Sequence, residues 1–472
     1  MLIDHADHDG EGFVWNIRKR GHSLFGKACD ILQTPKTYEG ERGGLVTTTM
    51  HQVETGSWSG VWLSRPLRAI VLGKIKQMTY GCLEFCEGTN VTVCGEIRRG
   101  EPKAVIRVVR DSIWERVVFG GTVGAAESYM DGDWTTEDLV SVIRIFSANR
   151  DMMQAMEGGF ALLRWPALKL WHMARRDTIQ QSRKNISAHY DLGNDFFAAW
   201  LDSSMSYSSG VFANESSTML GASIRKIQNL CESLKLSTDD HLLEIGSGWG
   251  ALAIFAASNY GCKVTTATIS KNQYNHVRSE VRRHKLEHLI TPVFCDYRKL
   301  SGQFDKIVSV EMIEAVGHHY LDTYFGKISS LLKADGLAAI QAITIRDQIY
   351  DEAIKNVDFI QRYIFPGSNI PSVSRMMESV KNHTDMVMTG LEDLTHHYAK
   401  TLSVWRQNFW SSETTLRSMG MNDQALKMWD YYFAYCQGGF TERVIGVCQF
   451  VLAKPRHLAH ESMTQIRAEA VS

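Results

Sequence analysis

The sequence predicts an α/β protein in which a doubly wound sheet follows a smaller α+β amino-terminal domain. Three observations lead there. At 472 residues the chain exceeds the size at which a single hydrophobic core keeps growing. From Thr238 onward, short apolar runs alternate with helical patterns, as in a parallel sheet covered by helices. The first of those runs passes directly into a glycine turn, "GSGWG".

The expected domains are residues 1–150, small and α+β; 151–188, a basic amphipathic linker; 189–456, the doubly wound domain; and 457–472, a tail. In the first, "RAIVLG", "GCLEFCEGTNVTVCGE", "AVIRVV" and "ERVVFGG" read as β-rich runs between glycine turns, and "TEDLVSVIRIF" as a helix. Residues 160–184 set six basic residues against one acid, interleaved with Trp165, Leu168, Leu170, Trp171 and Met173. Two readings stay open: a linker packed by its apolar side, or a contact with an anionic lipid surface. In the larger domain "HLLEIG", "CKVTTATIS", "ITPVFCD", "FDKIVSVE" and "GLAAIQAITI" read as strands, with helices such as "KNQYNHVRSEVRRHK" and "YLDTYFGKISSLLK" between them.

Composition narrows the function classes. Hydrophobic residues make up 44% and charged residues 22%, a globular balance, and the net charge of −1 gives no global pull toward nucleic acid. Nine cysteines without a repeating spacing do not form a disulfide framework, and Cys82 and Cys86 lack partners at zinc-site spacing. No secretory leader and no run long enough to span a bilayer is visible, so a cytoplasmic protein touching membrane only peripherally is expected.

Ligands of open α/β sheets sit beyond the carboxyl ends of the strands. Gly246, Gly248 and Gly250 follow the first strand there, and Glu311 and Glu314 follow "FDKIVSV". Glycines at such a turn let the backbone approach a nucleotide-like ligand. The loop resembles motif I of class I S-adenosylmethionine methyltransferases. In addition, "HYDLGNDFF", "MSYSSGVF", "GSGWG", "TISKNQ", "DYRKL", "FDKIVSVEMIEAVG" and "RYIFPGS" stand in the order found in cyclopropane fatty acid synthases, and "GTVGAAESYMDGDW" matches the end of their amino-terminal domain.

The resemblance implies a C-methyltransferase that uses S-adenosylmethionine on the cis double bond of an acyl chain in a membrane phospholipid, with proton loss and ring closure to a cyclopropane. A related enzyme making a methyl-branched or methylene-bearing chain is the alternative, followed by a non-catalytic lipid-binding protein of the same fold. The partners implied are unsaturated phospholipids at an anionic membrane surface, with a homodimer left open. Cofactor contacts would fall on Tyr207, Ser208, Gly246, Gly248, Thr268, Ile269, Gln273, Asp296 and Tyr297. The second strand ends without the ribose-binding acid common in methyltransferases, and Gln273 stands in that region as donor and acceptor.

The resemblance also puts the family's active-site glutamate at Glu314 and its tyrosine at Tyr363. Typical members add a histidine and hold a bicarbonate ion that accepts the proton. Here Gln341 occupies the histidine position and Glu311 replaces a small residue. Glu311 is expected to put its own carboxylate where the ion would sit, with Gln341 hydrogen-bonding it, so that bicarbonate becomes dispensable. Both acids would need a turn starting near Met312 to face one site, and donors such as Gln341 and Tyr363 to hold them. Ser209 would contribute its backbone, and Cys436 matches a cysteine sometimes treated as catalytic, although a buried structural thiol is the simpler reading.

Overall fold

The computed structural model describes residues 61–152 and 193–457. The basic stretch 160–184, the tail after 457 and the chain ahead of 61 lie outside the described residues.

The small domain combines α1 (Val61–Ile75), α2 (Ser112–Met130) and α3 (Leu139–Ala148) with four strands: β1 (Cys82–Glu87), β2 (Asn90–Gly95), β3 (Lys103–Val108) and β4 (Trp134–Thr135). The sheet order is β2-β1-β3-β4, with β1 and β3 parallel. Two expectations fail. "RAIVLG" lies within α1 and "ERVVFGG" within α2. Their apolar residues follow the helical repeat instead of alternation: Leu67, Val71, Leu72 and Ile75 are buried together on one face. A break interrupts α2 at Gly121, whose φ of 57° and ψ of −139° no side-chain-bearing residue adopts easily.

The large sheet follows the expected pattern. Its strands β5 (His241–Ile245), β6 (Lys263–Thr268), β7 (Ile290–Phe294), β8 (Phe304–Val310) and β9 (Leu332–Ile345) are joined by β10 (Val387–Asp393) and β11 (Ile445–Ala453) in the order β10-β11-β9-β8-β5-β6-β7. The first five run parallel, and β11 is antiparallel to both neighbours. Strand order reverses at β5, which pairs with β6 on one side and β8 on the other, so the ends of β5 and β8 flank the crevice where such sheets bind ligands.

The short α4 (Asn194–Ala198) and α5 (Met219–Ser233) precede β5. Helices α6 (Ala251–Tyr260), α7 (Lys271–Arg283) and α8 (Leu321–Leu331) are the crossovers. After β9 come α9 (Asp347–Ala353), a π-turn at Ile360–Ile364 and α10 (Val373–His383). Then α11 (Thr395–Ser411), α12 (Glu413–Ser418) and α13 (Asp423–Thr441) lead into β11. Buried residues of the small domain and of α11 and α13 form one continuous apolar cluster that includes Trp114, Ile143, Trp405 and Phe433. Among the described residues no helix is long and apolar enough to cross a membrane.

Candidate active site

The glycine turn after β5 has the backbone its sequence requires. Gly246 has φ of 96°, Gly248 47° and Gly250 94°, the last being the N-cap of α6. A Cβ on Gly246 would meet the Met312 side chain at 3.1 Å, so the turn packs closely against the loop carrying Glu311.

All nine expected cofactor residues line one cavity of about 900 Å³. The Thr268 hydroxyl donates to Gln273 Oε1 at 2.9 Å, and Ser270, the N-cap of α7, holds the Gln273 backbone. The Asp296 carboxylate is buried and paired with the Arg298 guanidinium. Tyr207 and Tyr432 share a hydroxyl–hydroxyl bond of 2.9 Å, and the Lys226 ammonium donates to Ser208 Oγ at 2.7 Å. This group of groove-lining glycines and buried polar side chains fits a nucleoside-bearing ligand.

Glu311 and Glu314 are brought together by a local device. Glu311 leaves β8 with φ of 47°, in the left-handed region, and its N–H donates to the Gln341 carbonyl at 2.8 Å. A single 3-10 turn, Ile313–Ala315 with Met312 as N-cap, follows at once. That reversal turns positions 311 and 314 toward the same cavity.

Each Glu311 oxygen is held by donors. Oε1 accepts from the Ser209 backbone N–H at 3.0 Å and from Gln341 Nε2 at 2.7 Å, while Oε2 accepts from the Tyr398 hydroxyl at 2.5 Å. Gln341 is oriented in turn by Gln449 Nε2, which donates to its Oε1 at 2.9 Å. Burial pushes the Glu311 carboxyl up from the ordinary range; the hydrogen bonds from Tyr398, Ser209 and Gln341 and the Lys226 charge oppose that rise. Glu314 Oε1 accepts from the Ile343 N–H at 2.5 Å, and its Oε2 is buried without a partner among the described residues. Burial, then the Glu311 charge, raises it to about 8. The two environments differ: donors and the Lys226 charge oppose the rise that burial imposes on Glu311, whereas burial and the Glu311 charge raise Glu314 to about 8, so that it keeps its proton near neutrality.

Tyr363 is placed differently from the expectation. Its hydroxyl donates to Glu127 of α2 at 2.6 Å, and Glu127 also pairs with Arg362 at 3.0 Å, so it holds the small domain to the π-turn and gives neither acid a bond. Tyr398 of α11 supplies the phenol instead. Cys436 lines the cavity, but burial pushes its thiol well above the usual range, so it stays protonated. The sequence reading does not mark Tyr398, Gln449, Lys226 or Asn369, whose buried Oδ1 lacks a partner among the described residues. Their only signal is pairing with residues far along the chain.

The family model of mycolic acid cyclopropane synthetases matches residues 177–450. The chain belongs to that family. Family members similar to it include the tuberculostearic acid methyltransferase of Mycobacterium tuberculosis, 34% identical over 352 residues, 73% of this chain and 82% of that one. The cyclopropane-fatty-acyl-phospholipid synthase of Escherichia coli K12 is 32% identical over 365 residues, 75% and 89% of the two chains. Among solved structures, a cyclopropane synthase from Mycobacterium tuberculosis superposes with a TM-score of 0.54 at 28% identity, covering 58% of this chain and 98% of that one. A mycolic acid cyclopropane synthase complexed with SAH and CTAB gives 0.54 at 30% identity, with the same coverage of both chains. The protein is thus an S-adenosylmethionine-dependent lipid C-methyltransferase of the family that includes cyclopropane fatty acid synthases and fatty acid methyltransferases.

Proposed function

We propose that the protein methylates a cis double bond of an acyl chain in a membrane phospholipid, and that Glu311 takes a proton from the transferred methyl group to close a cyclopropane ring. The observation that carries this reading is the three-donor hold on the Glu311 carboxylate. Those donors, with the Lys226 charge, favour the carboxylate form against the burial that disfavours it.

S-adenosylmethionine supplies the electrophilic methyl group when bound. The alkene π pair would form the new carbon–carbon bond as the methyl–sulfur bond breaks with its electron pair going to sulfur, leaving the neutral thioether and a positive centre on the adjacent chain carbon. Glu311 then removes one methyl proton, and the freed C–H pair closes the ring. Ser209, Gln341 and Tyr398 fix the direction of the acceptor oxygens, and the largely apolar cavity keeps water from the positive centre. Glu314, kept neutral, adds no second charge to repel Glu311. Tyr363 and Cys436 take no part in proton transfer in this reading. Bicarbonate is dispensable because Glu311 provides the accepting oxygen.

Similarity to the tuberculostearic acid methyltransferase favours a second product from the same first step. A 1,2-hydride shift that moves the positive charge to the methyl-bearing carbon, followed by loss of a methyl proton, gives a methylene branch on the open chain. The deciding experiment incubates purified protein with S-adenosylmethionine and vesicles of monounsaturated phospholipid, then reads the product by proton NMR. Cyclopropyl protons at high field support ring closure, vinylic protons support the methylene product, and no methyl incorporation overturns both.

A further inference from the structure

We propose that the small amino-terminal domain forms the blind end of the acyl pocket, takes up the methyl-terminal segment of the substrate chain, and so sets which double-bond positions reach Glu311. The inference rests on the acyl-methylation reading above.

The cavity that holds Glu311, Glu314 and the glycine turn continues between the small sheet and its helices, where Val71, Phe85, Ile106 and Trp114 line it. Its volume of about 900 Å³ lies near the top of the roughly 300–1,000 Å³ range of small-molecule sites, large for one polar cofactor alone. Phe85 and Trp114 close that end: both are buried, with ring centroids 5.9 Å apart. Another part of the lining is charged. Arg150 and Glu352 pair at 3.3 Å there with side chains 31% and 41% exposed, and Lys355 stands beside them. A lipid therefore enters with its head group at the charged side and its methyl end toward the rings.

Contact between the two regions is direct. Tyr398, bonded to Glu311, stacks on Phe440 of α13 at 4.4 Å, and two residues earlier Gly438 packs so closely on Ile143 of α3 that a Cβ there would lie 2.6 Å from its Cγ2. Along α2, Val117, Gly120, Gly121 and Ala125 line the cavity and stay only partly covered by protein, at the break in that helix. The family model begins at residue 177, downstream of this domain, so the depth it adds is separate from the matched core.

The test uses Val117→Phe and Ala125→Phe, which fill the small-domain end without touching the acids or the glycine turn, and Val117→Ala, which enlarges it. Vesicles carry phospholipids with chains of equal length whose cis double bond lies nearer to or farther from the methyl end. The Phe variants should lose methyl transfer to the substrate with the long methyl-side segment by about tenfold or more while keeping the other substrate, since one methylene in an apolar pocket is worth roughly 10–200-fold. Val117→Ala should move the ratio the opposite way. S-adenosylmethionine affinity, read by calorimetry, should not change. Equal losses on both substrates, or an unchanged ratio in all three variants, would overturn the proposal. If the wild-type protein methylated no unsaturated lipid, the failure would belong to the underlying reading.

Discussion

Glu311→Gly removes the proposed base and leaves its donors in place. The Ser209 N–H, Gln341 Nε2 and the Tyr398 hydroxyl would then surround a space that fits a small oxyanion. Two effects on stability oppose each other. Glycine relieves the left-handed backbone at φ of 47°, worth about 1–2 kcal/mol, whereas each buried donor left without an acceptor costs about 1–3 kcal/mol. With three donors the balance is a net loss, reduced wherever an ion or water enters. The effect on rate should be larger. A positioned general base contributes about 10²–10⁴-fold, so the variant should fall by that factor in carbonate-free buffer, equivalent to roughly 3–5 kcal/mol of barrier. Added bicarbonate should restore part of the rate. The assay is methyl transfer from labelled S-adenosylmethionine to unsaturated phospholipid vesicles, with and without bicarbonate. A glycine variant fully active without the ion would refute the assignment, as would wild-type protein that depends on it.

Glu314→Gln should change pH dependence more than the maximum rate. Glu314, raised from 4.5 to about 8, holds a proton in the folded chain that the unfolded chain has already released, so stability falls as pH rises through that window. The variant should flatten its share of this slope in denaturant titrations, leaving that of Glu244, also raised to about 8. It should also remove the fall in activity above about pH 8, where ionised Glu314 would repel Glu311; an unchanged profile would mean that another group sets that limb. Gly246→Val would place a branched side chain at φ of 96° against Met312, and calorimetry should find S-adenosylmethionine binding abolished with the fold retained. Reversing the charges of Arg175 and Arg176 should weaken vesicle sedimentation by about 1 kcal/mol per charge neutralised at low salt if the basic stretch contacts anionic lipid, and leave it unchanged if the stretch is only a linker.

The parallel strands were legible because each is a short apolar run ending in a turn signal, from "HLLEIG" to "GLAAIQAITI". Strand β10 was not: its residues are mostly exposed at the sheet edge, so it carries little apolar pattern. The helical runs in α1 and α2 look strand-like because each holds an adjacent β-branched pair, Ile70–Val71 and Val117–Val118, ahead of a glycine; their burial on one helical face decides for the helix. At the site, both acids were visible from their place after a strand, and Gln341 from its standing at the histidine position of the resembled family. Tyr398 was not, because 87 residues separate it from Glu311 and nothing in "THHYAK" marks the pairing. The position of Tyr363 was also beyond reach, since it depends on Glu127 of a different domain arriving at 2.6 Å.

The most direct test of proton removal from the transferred methyl group uses S-adenosylmethionine with a trideuterated methyl group in carbonate-free buffer. Wild-type protein should transfer the group to the alkene and retain two of its three deuterons in the product, the third having passed to Glu311. A product that keeps all three deuterons, or no transfer until bicarbonate is added, would contradict the account.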